Sequence, residues 1–319
     1  MSVAFRPDIP KPPFVSIQYL RAVAALMVVF HHLIVPFARA GGPLEGFIVG
    51  ARGVDIFFVI SGFIMYTAAR NEPPVTFAWR RFVRIAPLYW VASLTLLVVN
   101  FYTRGKTGDL KHLAVSLAFI PHRSPEGGEI WPYLVPGWTL NVEVFFYAVF
   151  FLGLVTRRLT LTVGGVILAC AVAGFLVQSD DPRFLTYTNI RLLEFLGGYG
   201  LGWLFLRRSV RPALLLLPIG FITLMAPNPF PIPAITYVPS AIMIVAGALA
   251  MDDRHQTPNL PWLHFLGNAS YSIYLTHVIW IALVEHWVGP GLNTDPVLAS
   301  LNLLFGGAGA VAGHAARTA

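Results

Sequence analysis

Three ionisable side chains, one arginine and two histidines, lie in a segment of this sequence that is otherwise apolar enough to cross a membrane. Arg21 and His32 belong to the run SIQYLRAVAALMVVFHHLIVP, residues 16–36. Their spacing in an α-helix is about three turns plus roughly 20°, so both lie on one helix face, about 16 Å apart along the axis. Because a charge at the bilayer centre costs roughly 2.5 kcal/mol or more, the pair indicates a polar pathway or an active site within a membrane. The alternative is an arginine that snorkels to the membrane surface beside an interfacial histidine.

Other apolar segments also carry ionisable residues, namely Asp55, Glu143 and His277. If the N-terminus is cytoplasmic, His32, Asp55 and Glu143 fall at similar depths in the outer part of the membrane. A histidine and a carboxylate at one depth predict a general base and its orienting group, so we expect His32 and Glu143 to be catalytic. The structural alternatives are an arginine partner for Glu143, an Arg52 partner or a helix-capping role for Asp55, and a bond between His277 and a neighbouring helix.

Arginines at the opposite, cytoplasmic surface predict an anion site. Arg81 and Arg84 are three residues apart and share a helix face. Guanidinium groups bind phosphate bidentately, so these residues, together with Arg21, suit a phosphate-bearing donor. Anionic lipid headgroups are the alternative ligand.

Membrane helices must position these side chains. The chain has 319 residues, 56% hydrophobic and 12% charged, with a mean hydropathy of +0.68. Soluble domains carry about 25% charged residues, so we predict an all-α, polytopic membrane bundle. Arginine-rich cytoplasmic loops explain the net charge of +7, and the sequence offers no soluble basic domain that could bind nucleic acid. It also has no Cys/His spacing typical of a metal site, so we expect no metal.

The apolar runs predict about ten spans, at about 17–37, 47–69, 86–102, 138–156, 159–178, 187–206, 212–227, 234–251, 265–286 and 296–313. We expect Pro87 to end a short amphipathic helix that carries Arg80, Arg81 and Arg84. Residues 113–120 are too short to cross and are expected to be re-entrant or interfacial. With the N-terminus inside, most arginine-rich loops face the cytoplasm, as the positive-inside rule requires.

Five motifs, in this order, resemble the acyltransferase 3 family of membrane acyltransferases: Arg21 and His32 with ten residues between them, Gly53 to Phe63 (GVDIFFVISGF), Arg81 and Arg84 followed by Pro87, Trp138-Thr139-Leu140 with Glu143, and Ser270 to His277 (SYSIYLTH). The opening IQYLRAVAA is most similar to the exopolysaccharide-production subgroup of that family. The Gly- and Ala-rich end departs from the family pattern, so 296–313 is the least secure span. A truncation or frameshift there stays open.

The resemblance implies a single membrane domain over residues 1–319, in the bacterial inner membrane with a cytoplasmic N-terminus. It implies transfer of an acyl group, acetyl or succinyl, from cytoplasmic acyl-CoA to a hydroxyl of an extracytoplasmic polysaccharide or its lipid-linked precursor. A transporter of a glycan intermediate or a proton-coupled solute is the alternative, and a structural subunit of a polysaccharide export complex is a third reading. The expected partners are membrane lipid, the carbohydrate acceptor and the polysaccharide-synthesis machinery.

The resemblance also assigns roles to individual residues. Arg21, Arg81 and Arg84 would hold the CoA phosphates. His32 would be the catalytic base and Glu143 its partner, with an acyl-histidine intermediate as the alternative to direct transfer. The residues expected to contact substrate are Asp55, Ser61, Trp138, Tyr274 and His277.

Overall fold

The computed structural model describes residues 14–39, 49–228, 230 and 234–288, and within these ranges every long regular element is an α-helix. The α-helices are α1 (Val15–Arg39), α2 (Gly53–Ile64), α3 (Pro74–Arg104), α4 (Leu110–Leu117), α5 (Trp138–Val155), α6 (Leu159–Leu176), α7 (Pro182–Tyr187), α8 (Leu192–Phe205), α9 (Leu216–Met225), α10 (Ala234–Asp253) and α11 (Pro261–Val288). The predicted all-α class is confirmed.

Six described helical stretches are long and apolar enough to cross a membrane, namely Val15–Ile34, Gly50–Ala69, Pro74–Arg104, Val135–Val155, Leu159–Leu176 and Ile235–Asp253. The predicted span at 187–206 contains one helix, the 14-residue α8, since α7 ends at Tyr187. The span at 212–227 is a 3₁₀ turn followed by the ten-residue α9. Because a crossing helix needs about 20 residues and 296–313 lies outside the described residues, the count of ten stays a prediction.

The prediction that a helix ends near Pro87 is wrong. The helix α3 runs for 31 residues with Pro87 inside it. Proline removes one backbone N–H from the helix, but membrane helices tolerate this where neighbouring groups bond the released carbonyls. The carbonyl that loses its helical partner is that of Val83, four residues before the proline. Close to it, the Tyr271 hydroxyl of α11 donates a hydrogen bond of 2.9 Å to the Ile85 carbonyl. The arginines predicted on a separate amphipathic helix therefore lie on the first turns of a long helix.

The segment between α3 and α5 is organised around the short α4. Its eight residues are too few to cross, as the sequence predicts. The Asp109 side chain caps its N-terminus. On α3, the Tyr89 hydroxyl donates to the Ser116 carbonyl at 3.2 Å and the Trp90 indole N–H to the Leu117 carbonyl at 2.9 Å. These bonds fix α4 against one side of α3.

The described residues divide into two compact units. The first contains the beginning of α1 up to Ala24, then Val54–Arg81 and Val142–Asn268. The second contains α1 from Ala25, then Phe82–Asn141 and α11 from Ala269. Arg21, Ser61, Arg81 and Glu143 therefore belong to the first unit, whereas His32, Arg84 and His277 belong to the second.

Two glycines of the first unit explain how α2 and α8 pack. A β-carbon at Gly62 would lie 2.0 Å from the Phe195 carbonyl oxygen, and one at Gly198 would lie 1.9 Å from the Val59 carbonyl oxygen. Only glycine permits backbones to approach this closely. The sequence neighbour of Ser61 therefore fixes where α2 crosses α8.

Candidate active site

The imidazole of His32 is held in one tautomer by its own helix. Its Nδ1 lies 2.9 Å from the Val28 carbonyl oxygen, one turn earlier on α1. A carbonyl can only accept a hydrogen bond, so Nδ1 carries the proton and Nε2 keeps its lone pair. The side chain is half-buried. His32 is thus an oriented imidazole, and Nε2 of its neutral form can accept a proton.

A second imidazole, that of His277 on α11, packs against His32. The two ring centroids are 4.8 Å apart and the ring planes are tilted by 56°. The Nδ1 of His277 lies 2.7 Å from the Tyr274 carbonyl oxygen, so this ring is also protonated at Nδ1. The side chain is fully buried, and its Nε2 has no hydrogen-bond partner among the described residues.

Two further residues predicted to contact substrate lie near the start of α5, namely Trp138 on α5 itself and Tyr274 on α11. The Tyr274 hydroxyl lies 3.0 Å from the Thr139 hydroxyl and donates to the Pro136 carbonyl at 3.1 Å. Both of these side chains are buried. Trp138 is half-buried and is the first residue of α5. The bonds of Tyr274 tie α11 to the start of α5, which supports a structural role, and its contact with substrate stays a prediction.

In the first unit, Glu143 is held by two hydroxyl groups. The Ser61 hydroxyl donates to Glu143 Oε1 at 2.9 Å, and the Tyr147 hydroxyl donates to the same oxygen at 2.5 Å. Hydrogen bonds to an ionised carboxylate are short and strong, so this geometry suits a charged Glu143 with Oε1 fixed. The alternative of an arginine partner for Glu143 finds no support in the described ion pairs.

Asp55 has a structural partner in the first unit. Its carboxylate is buried and accepts a hydrogen bond of 3.1 Å from Nε of Arg191, which precedes α8. This ion pair joins α2 to α8 and supports a structural role. The expected contact of Asp55 with substrate stays a prediction.

The three arginines expected to bind phosphate differ in their surroundings. Arg21 donates to the Gln18 side chain at 3.2 Å, one turn earlier on α1. The Arg81 guanidinium lies over the Phe77 ring at 5.7 Å, and its Nε and Nη1 are buried and bonded to no described residue. Arg84 is exposed and has no ion pair with a described residue. Arg81 thus presents a desolvated cation whose N–H groups an anion would satisfy.

A chain of contacts links Arg81 to Glu143 within the first unit. The Phe77 ring, under Arg81, packs edge-on against Tyr147 at 6.1 Å between centroids. Tyr147 in turn holds Glu143. Our sequence reasoning missed Tyr147, although its position four residues after Glu143 places both on one helix face. It also missed Arg191, because nothing local to Asp55 indicates a partner 136 residues away.

Among the described residues, no group of three His, Cys, Asp or Glu side chains could hold a metal ion. What the geometry offers is an oriented imidazole in one unit and, in the other, a carboxylate held by two hydroxyls together with a desolvated guanidinium.

Residues 14–314 match a family described as an acyltransferase domain. The chain is 41% identical over 254 residues to the exopolysaccharide production protein ExoZ of Rhizobium meliloti (strain 1021), which covers 75% of this chain and 78% of ExoZ. It is 29% identical over 278 residues to the acyltransferase MdmB of Streptomyces mycarofaciens, and the match covers 77% of this chain and 72% of MdmB. It is 26% identical over 328 residues to nodulation protein 10 of Rhizobium leguminosarum bv. viciae, and the match covers 85% of this chain and 86% of that protein. No solved structure matches.

Proposed function

We propose, from the premise that the chain belongs to the acyltransferase domain family, that it moves an acyl group from acyl-CoA to a hydroxyl of a polysaccharide or its lipid-linked precursor. The observation that carries this proposal is the family match over residues 14–314. The family predicted from five motifs is confirmed, and with it the enzyme class: the protein is a membrane acyltransferase. The donor, the acceptor and the residue roles below are our proposals.

The acceptor class follows from the relatives. The name of the relative that shares 41% identity refers to exopolysaccharide production. We take a glycan hydroxyl as the acceptor on this ground, and an acetyl or succinyl group as the acyl group on the ground of the family resemblance. The enzyme then works in the bacterial inner membrane with its N-terminus in the cytoplasm.

His32 is our proposed general base. The acceptor oxygen attacks the thioester carbonyl carbon while its proton passes to Nε2 of His32, the C–S bond breaks, and the CoA thiolate leaves. The Val28 carbonyl bonded to Nδ1 keeps Nε2 free for this proton, and its bond strengthens when the ring becomes an imidazolium. Catalysis gains because this bond is stronger in the transition state than in the ground state.

Arg21, Arg81 and Arg84 are our proposed ligands of the CoA phosphates. The unbonded N–H groups of Arg81 support this role, because an anion would replace the water that burial has removed. Glu143 is our proposed second catalytic residue, the partner of His32. Its role rests on the family motif and on the two hydroxyls that hold its Oε1 in place.

Two adjacent histidines provide the decisive experiment. The protein would be purified into lipid nanodiscs as wild type, His32→Gln and His31→Gln, and incubated with radiolabelled acetyl-CoA or succinyl-CoA and the polysaccharide of the producing cells. We expect His32→Gln to lower kcat at least a thousandfold, because general base catalysis and orientation are lost together. His31→Gln should stay within a few fold of wild type, since that residue lies on a different face of α1.

The alternatives predict other outcomes. A transporter or a structural subunit would transfer no label in any variant, and the ester content of the cellular polysaccharide would not depend on His32 while the protein is present in the membrane. Label transfer that His31→Gln abolishes and His32→Gln retains would keep the acyltransferase but move the base by one residue.

A further inference from the structure

The buried imidazole of His277 has a hydrogen-bonding capacity that the resting protein does not use. Its Nδ1–H is satisfied by the Tyr274 carbonyl at 2.7 Å. Its Nε2 is buried and accepts no hydrogen bond from any described residue. A buried acceptor without a donor is unfavourable and rare in folded proteins. Its presence at this position therefore needs a cause.

The surroundings of that nitrogen indicate the cause. The His32 ring lies 4.8 Å away between centroids, and both rings carry their single proton on Nδ1. Two neutral imidazoles in this state are both acceptors at Nε2, so neither can satisfy the other. The arrangement changes once His32 takes up a second proton, because the ring becomes a cation next to an unpaired acceptor.

We infer that His277 is a positioning residue for His32, and that its neutral ring stabilises the His32 imidazolium formed when the acceptor hydroxyl is deprotonated. This inference rests on the proposed function. His277 is fully buried, so it acts through His32 rather than by touching substrate. Its Nδ1–H bond to the Tyr274 carbonyl leaves Nε2 unprotonated and electron-rich, and such a nitrogen is attracted to a neighbouring cation. One proton is transferred in the reaction: it leaves the acceptor oxygen, is held by His32, and is finally carried away by the CoA thiol.

This role accounts for a histidine, rather than an apolar residue, at the buried position 277. An interaction that is absent in the ground state and present in the transition state raises kcat without tightening substrate binding. His277 should therefore affect kcat and leave the KM for acyl-CoA unchanged.

Two substitutions separate this role from a structural one. Asparagine superimposes its amide on the Nδ1 side of histidine, so His277→Asn keeps a donor for the Tyr274 carbonyl and loses the acceptor at the Nε2 position. Glutamine reaches further, so His277→Gln can place its amide oxygen at the Nε2 position. The matched control is Ser270→Ala, two helical turns earlier on α11, where the buried hydroxyl also has no described partner.

Wild type and the three variants would be purified in nanodiscs and assayed for kcat, the KM for acyl-CoA and the thermal midpoint. We expect His277→Asn to lower kcat about ten- to a hundredfold, as loss of a favourable interaction with a charged group predicts, with KM within twofold. His277→Gln should recover at least part of that loss, and Ser270→Ala should behave as wild type.

Several results would overturn the inference. They are wild-type kcat in His277→Asn, equal losses in the asparagine and glutamine variants, a rise in KM, or a loss of kcat that follows a fall in thermal midpoint. His32→Gln separates the two proposals. If that variant keeps activity, the proposed base is wrong, whereas an inactive His32→Gln with a fully active His277→Asn refutes only the role of His277.

Discussion

The Ser61 hydroxyl donates a 2.9 Å hydrogen bond to Oε1 of Glu143, joining two motifs that lie 82 residues apart in the chain. Gly62, next to Ser61, permits the close approach of α2 and α8, and this packing fixes the height of Ser61 in the first unit. A serine that donates to a carboxylate in an apolar environment offsets part of the cost of keeping that carboxylate charged. Ser61 therefore acts on Glu143, whether or not it also touches substrate.

Removing the second donor to Glu143 tests whether its position matters for catalysis. Tyr147→Phe deletes only the hydroxyl that lies 2.5 Å from Oε1. A hydrogen bond to a charged group contributes about 1.5–3 kcal/mol, so we expect kcat to fall about tenfold or more in a purified-enzyme assay. The control is Tyr187→Phe. The Tyr187 ring, on α7, stacks on Phe145 of α5, the helix that carries Tyr147, and the Tyr187 hydroxyl has no hydrogen bond to a described residue. Equal kcat values in the two variants would show that the role of Glu143 in catalysis does not depend on the hydrogen bond from Tyr147.

Arg81 is expected to bind the donor through the geometry of its guanidinium. Arg81→Lys keeps the charge but loses the bidentate donor pair, so the KM for acyl-CoA should rise about tenfold while kcat changes little. Arg80→Lys is the neighbouring control, because Arg80 is exposed and pairs with Glu72 at 2.7 Å. If the two variants raise KM equally, the effect comes from the general positive charge of this surface.

Asp252 fixes the start of α1, and hence the helix that carries Arg21. Its buried carboxylate accepts hydrogen bonds from the Ser16 backbone N–H, from the Ser16 hydroxyl at 2.7 Å, and from the Thr257 hydroxyl at 2.5 Å. Asp252→Ala leaves these donors buried without an acceptor, and we expect a loss of roughly 2–4 kcal/mol in stability. The measurement is the thermal midpoint in detergent or nanodiscs. Asp181→Asn, at an exposed helix cap, should change it far less, and a similar fall in both would contradict the argument.

The docking of α4 should weaken in acid. Burial, and secondarily the neighbouring His122, lower the pKa of His112, while Asp109 and Glu126 oppose this. The His122 Nδ1–H donates to the Ile120 carbonyl at 2.8 Å, so its Nε2 accepts from His112 Nδ1 at 2.6 Å. A histidine whose pKa is lowered by folding stabilises the fold above its unfolded pKa, about 6.5, and loses that contribution as pH falls towards the folded value.

Hydrogen exchange of the backbone amides in residues 110–117, corrected for intrinsic rates, would measure this at pH 7.5 and pH 5. Protection should fall at the lower pH in wild type and fall less in His112→Gln, which cannot titrate. Equal losses of protection would show that another group controls the segment.

The motifs identified the family because their residue types and spacings lie within single helices. The ten residues between Arg21 and His32, and the three between Glu143 and Tyr147, fix shared faces by helix geometry alone. The tautomer of His32 is local for the same reason, since its Nδ1 bonds to the carbonyl one turn earlier. These relationships depend on sequence spacing, so a reading of the sequence reaches them once a helix is assumed.

The ends and lengths of the helices were harder to predict from the sequence. Pro87 resembles a helix end, yet α3 continues through it, because membrane helices tolerate an internal proline where their surroundings compensate for the lost backbone bond. The span predicted at 187–206 contains only the 14-residue α8 after a turn, since hydropathy reports apolar composition and not where a backbone turns.

Composition and hydropathy by themselves determined an all-helical membrane protein, and the resemblance of five motifs to a known family indicated an acyltransferase and the residues expected to do its chemistry. Only the tertiary structure decided which side chains on or beside other helices they meet: Asp55 with Arg191, Ser61 with Glu143, and His277 with His32. The physical reason is that a helix fixes neighbours three and four residues apart through its own hydrogen bonds, whereas the partner of a buried charge on another helix is set by packing and by close backbone approaches.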